Sequence, residues 1–231
     1  MIGILGGMGT QASLDFCNKL AMLNRGKIDQ KYPLFILYNK SNIPGRPENL
    51  HKYNKVLKSL YTGCLLLQKN NCKFIVIPCN TAHYWYDDLQ RKIKIPIVSM
   101  PKEVWLHVKK NCKKNSKIGI LATEATLKTR VYNKFFDKNF ILINPTKSLQ
   151  IKSVNIAIKY IKMGKIKDAA KVIKPAINYL IKLKCNKIIL GCTELPIAIF
   201  AFKSLKKAKQ SKIFIDPNLL LAEVSMKKYK K

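Results

Sequence analysis

Apolar residues in this chain fall into short bursts, separated by stretches in which they recur every three or four positions. Ile2 to Leu5 is the first burst, Gly6-Gly7-Met8-Gly9-Thr10 follows it, and Leu14, Cys17, Leu20, Ala21 and Leu23 then keep helical spacing. The pattern predicts a strand, a glycine-rich turn and a helix. Leu34 to Tyr38 predicts a second strand, about Asn49 to Asn70 a second helix, and Ile75-Val76-Ile77 a third strand that stops at Pro78-Cys79. Ala82 onward reads as another helix and Ile95 to Ser99 as a fourth strand. Strands alternating with helices in this way favour a parallel sheet covered by helices.

The same order then repeats. Lys69, Cys72, Ile75 and Cys79 recur as Lys182, Cys185, Ile188 and Cys192, each 113 positions later, with Val76 and Ile77 returning as Ile189 and Leu190. Ile118-Gly119-Ile120-Leu121 repeats Ile2-Gly3-Ile4-Leu5 at an offset of 116, and Ile213 to Pro217 echoes Ile95 to Ser99 more loosely. A near-constant offset over matched residues marks a duplicated unit. The expectation is α/β: two pseudo-symmetric three-layer αβα halves with mostly parallel sheets, joined near Pro101 to Ser116, with the active site in the cleft between them. The expected domains are residues 1–98 plus 209–231, and residues 99–208.

Composition narrows the function. At 231 residues and 48% hydrophobic content the chain can bury a large core. The longest apolar run, Leu195 to Phe202, is far short of the roughly 18 residues of a membrane span. The opening Met1-Ile2-Gly3-Ile4-Leu5 reads as a first strand and not as a signal peptide. Seven cysteines, mostly in apolar stretches, suit reduced thiols in the cytoplasm better than a disulfide framework. No cysteine pair has zinc-finger spacing, so no metal site is expected.

The net charge of +32 invites a nucleic-acid reading. Only Arg25, Arg46, Arg91 and Arg130 among the 44 basic residues are arginines, and the lysines are spread along the whole chain. Sequence readers and phosphate clamps favour arginine, so diffuse attraction to anions is expected and specific nucleic-acid binding is not. The tail Lys227 to Lys231 reads as a frayed end.

The glycine-rich first turn could cradle a phosphate. A dinucleotide site also expects an acid at the end of strand two, where this chain has Asn39-Lys40-Ser41. A tight turn that lets backbone approach a small carboxylate fits better. Arg46 follows the carboxyl end of strand two, in a loop stiffened by Pro44 and Pro47, where a guanidinium can clamp a carboxylate bidentately.

Cys17, Cys64, Cys72, Cys112 and Cys185 read as small buried hydrophobes. Cys79 and Cys192 differ, since each ends a strand and precedes small polar residues at the start of a helix. A helix N-terminus is expected to lower such a thiol's pKa toward neutrality. Hydrolytic cysteine sites need a partner base, and no histidine occupies matched positions beside the two; His83 stands four residues after Cys79, about one turn into the helix. Two pseudo-symmetric thiols suit proton exchange at a carbon whose two faces must look alike.

Ile4-Leu5-Gly6-Gly7-Met8-Gly9, Pro78-Cys79-Asn80-Thr81-Ala82, Leu121-Ala122-Thr123 and Gly191-Cys192-Thr193-Glu194 run in this order over essentially the whole chain. Together they resemble the aspartate/glutamate racemase family, amino-acid racemases that work without pyridoxal phosphate. Glu194, where glutamate racemases carry histidine, points to the aspartate racemase branch. Met8-Gly9-Thr10 departs from the commoner Met-Gly-Pro. The resemblance implies Cys79 and Cys192 as the acid/base pair, with no cofactor and no metal. It implies Asn80, Thr81 and Thr193 on the α-carboxylate and amino group, Thr123 lining the site, and Gly7 and Met8 completing the binding set. Arg46 matches an arginine for the side-chain carboxylate and Lys162 a lysine that assists it, with Lys165 as the alternative. The implied substrate is aspartate, with glutamate as a second candidate, and the implied assembly is a homodimer in the cytoplasm. A catalytically silent homologue binding a small carboxylate or a polyanion is the alternative from another class.

Overall fold

The computed structural model describes residues 1–24, 28–136, 138–201 and 212–230. The chain forms two compact units, Met1–Glu103 with Asn218–Lys231, and Val104–Pro217. The expected boundary between 208 and 209 lies outside the described residues, as do Arg25, Phe202 and Lys231.

In the first unit, β1 (Ile2–Gly6), α1 (Thr10–Leu23), β2 (Phe35–Asn39), α2 (Tyr53–Lys69), β3 (Phe74–Val76), α3 (Tyr86–Lys92) and β4 (Ile97–Val98) alternate as expected. The strands form one parallel sheet in the order β2-β1-β3-β4, with Ile4 opposite Val76 and Val76 opposite Val98. β1 and β3 are buried along their whole length, which is why they read as continuous apolar runs and not as alternating ones. α2 buries Val56, Leu60, Gly63, Cys64 and Leu67, a stripe at helical spacing.

Helix α4 (Met100–Asn111) carries the chain into the second unit, so the stretch expected as a join is itself helical. The order repeats there as β5 (Ser116–Leu121), α5 (Glu124–Lys128), β6 (Phe140–Ile143), α6 (Lys147–Leu149), α7 (Ile156–Lys162), α8 (Ile166–Val172), α9 (Lys174–Lys182), β7 (Lys187–Leu190), α10 (Leu195–Ala201) and β8 (Phe214–Ile215). Its sheet runs β6-β5-β7-β8, all parallel, which is the first sheet's order strand for strand. The last helix, α11 (Pro217–Tyr229), returns to the first unit. Its Leu221, Ala222 and Met226 share a core with Ile2, Ile4, Phe16, Leu20 and Met100.

Three local expectations shift. The segment from Ala82 is a 3₁₀ turn over Thr81–Trp85 before α3 starts. The helix expected from Asn49 begins at Tyr53, because Asn49 closes a turn by donating its N–H to the Arg46 carbonyl at 3.4 Å. β4 is only two residues long; Pro96, which lacks an N–H for the ladder, directly precedes it.

Candidate active site

In a parallel α/β sheet, ligands bind at the carboxyl ends of the strands. In the first unit the ends of β1, β2 and β3 carry Gly7-Met8, the Arg46 loop and Cys79-Asn80-Thr81 in turn. Gly7 adopts φ +89°, and a Cβ there would stand 2.3 Å from the Lys40 carbonyl carbon. The turn is therefore glycine because the chain leaving β2 packs onto it. Its N–H is used internally: Ser13 Oγ accepts from Gly7 at 3.2 Å and donates to the Gly9 carbonyl at 2.9 Å. The backbone of Lys40 approaches this turn closely.

Met8 is buried, and its carbonyl accepts from Arg46 Nη2 at 2.6 Å, while Arg46 Nη1 donates to the Pro44 carbonyl at 3.4 Å. Arg46 Nε is buried and has no protein acceptor. The guanidinium is thus fixed to the first turn by one N–H of each outer nitrogen, with Nε and the second N–H of each outer nitrogen not engaged in these two bonds. The structure thus joins Arg46 to the turn that carries Gly7 and Met8.

Ile77 and Pro78 follow β3, and the Cys79 N–H turns back onto the Ile77 carbonyl at 2.7 Å. That tight bend leaves Cys79 5% exposed at the strand end, with Asn80 and Thr81 buried behind it. His83 Nδ1 lies 2.9 Å from the Cys79 carbonyl, and its Nε2 accepts the Met100 N–H at 3.0 Å.

In the second unit Ala122-Thr123 follows β5, Cys192-Thr193-Glu194 follows β7 and Asp216 follows β8. Thr123 caps α5, its oxygen accepting from the Thr126 N–H at 3.2 Å. Gln150 fixes the same strand end by donating to the Ala122 carbonyl at 2.9 Å. Cys192 is buried and its Sγ donates to Glu194 Oε2 at 3.0 Å, while the Thr193 hydroxyl reaches the same oxygen at 3.4 Å.

The expected lowering of the thiol pKa does not hold at Cys192. Burial pushes this thiol well above its ordinary value, and the adjacent Glu194 carboxylate pushes it further. The Glu194 backbone N–H and Lys162 pull the other way, but more weakly. The helix that follows, α10, is only seven residues long and begins three residues on, at Leu195. At neutral pH Cys192 is therefore a protonated thiol, a proton donor. Tyr132, fully buried, is also held well above its usual range by burial, with Cys192 and Asp216 adding to it.

Lys162, at the end of α7, is the lysine that acts electrostatically on Cys192, whereas the Lys165 ammonium lies 5.9 Å from the Tyr160 ring centroid. Of the other cysteines, Cys64, Cys72 and Cys185 are buried as expected, and Cys17 and Cys112 are only half-buried. Among the described residues no cluster of His, Cys, Asp or Glu is arranged to hold a metal, and no helix is long and apolar enough to cross a membrane. Sequence reasoning did not assign Glu194, Tyr132, Asp216 or Gln150 to the site. An acid two residues after a strand-ending cysteine was the readable signal for Glu194; Tyr132 and Gln150 carried none.

Comparison with known proteins places the family and the fold. The chain is 27% identical over 202 residues to the broad specificity amino-acid racemase RacX of Bacillus subtilis (strain 168), covering 84% of this chain and 86% of that protein. Its fold superposes on Picrophilus torridus aspartate racemase with a TM-score of 0.84 and 29% identity, over 100% of this chain and 94% of the other. An aspartate racemase homologue from Pyrococcus horikoshii OT3 shares the fold at a TM-score of 0.80 and 24% identity, over 100% of this chain and 99% of the other. Residues 5–224 match the family described as Asp/Glu/Hydantoin racemase, and the chain belongs to that family of isomerases.

Proposed function

We propose that this protein interconverts L- and D-aspartate by exchanging the α-proton between two cysteines, without a cofactor. The observation that carries the reading is the matched pair of strand-end thiols, Cys79 after β3 and Cys192 after β7, in sheets of identical order. In one direction the Cys79 thiolate takes the Cα proton and becomes a thiol. The C–H electron pair moves into the carboxylate as an enediolate, and Cys192 delivers its proton to the opposite face of the carbon, ending as the thiolate. The reverse reaction exchanges the roles.

A free amino acid's Cα–H is a very weak acid, so the developing charge has to be met by fixed donors. The hydroxyls of Thr81, Thr123 and Thr193 and the amide of Asn80 are the groups proposed for this, with Gly7 and Met8 shaping the first turn. Arg46 is proposed to take the side-chain carboxylate: its Nε is a buried donor without a protein acceptor, and Nη2 has a second N–H beside the one given to Met8. Lys162 is proposed to add positive charge on the other unit. Glutamate is the second candidate substrate. We further propose a homodimer working in the cytoplasm, the compartment that suits seven free cysteines.

The test is proton NMR of D- and of L-aspartate with the enzyme in D₂O, repeated with glutamate. Both enantiomers of the substrate should lose the α-proton signal as racemic product forms. Cys79→Ser and Cys192→Ser should each abolish racemisation while retaining exchange of opposite enantiomers. No exchange by the wild type would leave a silent carboxylate binder instead, and exchange of the same enantiomer by both variants would sink the two-thiol scheme.

A further inference from the structure

His83 takes no part in the chemistry proposed above, yet it is the buried titratable side chain nearest to Cys79 along the chain. It is 7% exposed and sits in the 3₁₀ turn Thr81–Trp85. Both ring nitrogens are engaged. Nε2 lies 3.0 Å from the Met100 backbone N–H, which can only donate, so Nε2 must be the unprotonated nitrogen. The proton is then on Nδ1, which lies 2.9 Å from the Cys79 carbonyl oxygen, an obligatory acceptor. The Val98 carbonyl stands at 3.5 Å from Nε2, a distance that adds nothing to an acceptor nitrogen. Burial lowers the ring's pKa and outweighs the backbone contacts that raise it, which keeps the ring neutral. The titratable group stacked on it is Tyr86, with ring centroids 6.2 Å apart, and Asp87 and Glu103 act on that phenol in turn.

We infer that His83 is a positioning residue for Cys79, a neutral Nδ1–H imidazole that ties the thiol's own carbonyl to the first turn of α4. This rests on the racemase reading for its catalytic consequence, though not for its geometry. The bond to the Cys79 carbonyl fixes the peptide plane on one side of the cysteine, and the Ile77 carbonyl fixes the N–H on the other. With both neighbouring peptides held, the Cα–Cβ direction of Cys79 is fixed, and with it the face from which its sulfur meets a substrate. At Cys192 the carbonyl accepts the Leu195 N–H at 3.0 Å and the sulfur is held by the side chain of Glu194. The matched thiols thus meet unmatched side chains, one bonding the cysteine's carbonyl and the other its sulfur.

The experiment separates the two ring bonds. An asparagine amide can stand where Nδ1–H stands and a glutamine oxygen where Nε2 stands, so His83→Asn can keep the Cys79 bond and His83→Gln the Met100 bond. Racemisation of aspartate by H83Q should fall about 10- to 100-fold in kcat with KM nearly unchanged, the cost of a small misplacement of a reacting group. H83N should recover most of that loss, even if both variants melt at similarly lowered temperatures. In the same proteins, iodoacetamide labelling followed by peptide mass spectrometry should show the Cys79 rate changed relative to Cys192 in H83Q and restored in H83N.

Equal kcat losses in both variants with unchanged Cys79 labelling would mean a purely structural histidine and would overturn the inference. If H83Q does not fold, ¹⁵N NMR of the wild-type imidazoles decides: the Nδ1–H tautomer, still neutral at pH 7, is expected, and an Nε2–H tautomer or an imidazolium would overturn it. A wild type without α-proton exchange would remove the racemase reading, whereas labelling and tautomer would still report on His83.

Discussion

Glu194→Gln offers the sharpest test of how the second thiol is held. The carboxylate oxygen sits 3.0 Å from Cys192 Sγ and both residues are buried, so a thiolate there would face a full like charge. At an effective dielectric of about 20 that repulsion is about 5 kcal/mol, an upper bound. Neighbouring charges at this range shift a pKa by about 1–3 units in practice. Glutamine keeps the shape and removes the charge, so the Cys192 pKa should fall by that amount while burial still holds it high. At pH 7.5 the thiolate fraction then rises about 10-fold per unit, and the lower basicity of the sulfur gives back about 3-fold per unit. The net expectation is labelling of Cys192 by iodoacetamide faster by about 3- to 40-fold, read by quenched time points and peptide mass spectrometry. Cys79, labelled in the same tube, is the reference and should change less. Cys192 labelled at an unchanged or slower rate in the variant would refute the reasoning, because the contact would then impose no charge penalty on the thiolate.

Arg46→Ala should lower kcat/KM for aspartate by about 2–4 kcal/mol, or roughly 30- to 1,000-fold, as expected for stripping one partner from a desolvated charge pair. Alanine turnover measured alongside should change far less; equal losses on both substrates would reduce Arg46 to a brace for the Met8 turn. Lys162→Ala should lower kcat/KM a few-fold and Lys165→Ala should not, since Lys162 acts on Cys192 and Lys165 lies against Tyr160; the reverse order would exchange their roles. Burial pushes the Cys64 thiol up to about 12, so its neutral form is favoured by folding. Stability is therefore intact below the thiol's ordinary pKa and declines as pH rises from about 9 through 12, by up to about 1.4 kcal/mol per pH unit. Denaturant midpoints from pH 8 to 11 should fall less steeply in Cys64→Ala than in the wild type, and parallel slopes would contradict this.

Much of the architecture was legible because duplication made the sequence check itself. The repeat of Ile75 to Cys79 as Ile188 to Cys192 marked two strand ends that the sheets place in equivalent third positions. Fully buried parallel strands are visible as apolar bursts, so β1, β3, β5 and β7 were all readable. Their short edge partners were less so: β4 keeps two residues of an expected five, since Pro96 and the helix starting at Met100 compete for the rest. The expected lowering of a strand-end thiol's pKa failed at Cys192 on its immediate surroundings, burial and a carboxylate against the sulfur. Residue type and spacing reveal which groups end a strand. They do not reveal how deeply a group is buried, and at Cys192 burial decides the protonation state. Tyr132 and Gln150 were invisible for a related reason, since each reaches the site by a long-range contact.

The chain's path through its two units makes one of them dependent on the chain's last helix. Everything the second unit needs lies in one uninterrupted stretch, Val104–Pro217, whereas the first unit waits for α11 to deliver Leu221, Ala222 and Met226 against Phe16 and Leu20. A chain that stops before Asn218 therefore holds the whole second unit while the first still shows bare apolar side chains to water. The half that begins the chain is the half completed last. Domains generally fold as units, and here the later segment is self-sufficient where the earlier one is not. Chains truncated before Asn218 should resist protease across Val104–Pro217 and be cut within Met1–Glu103, a footprint of the order in which the enzyme comes together.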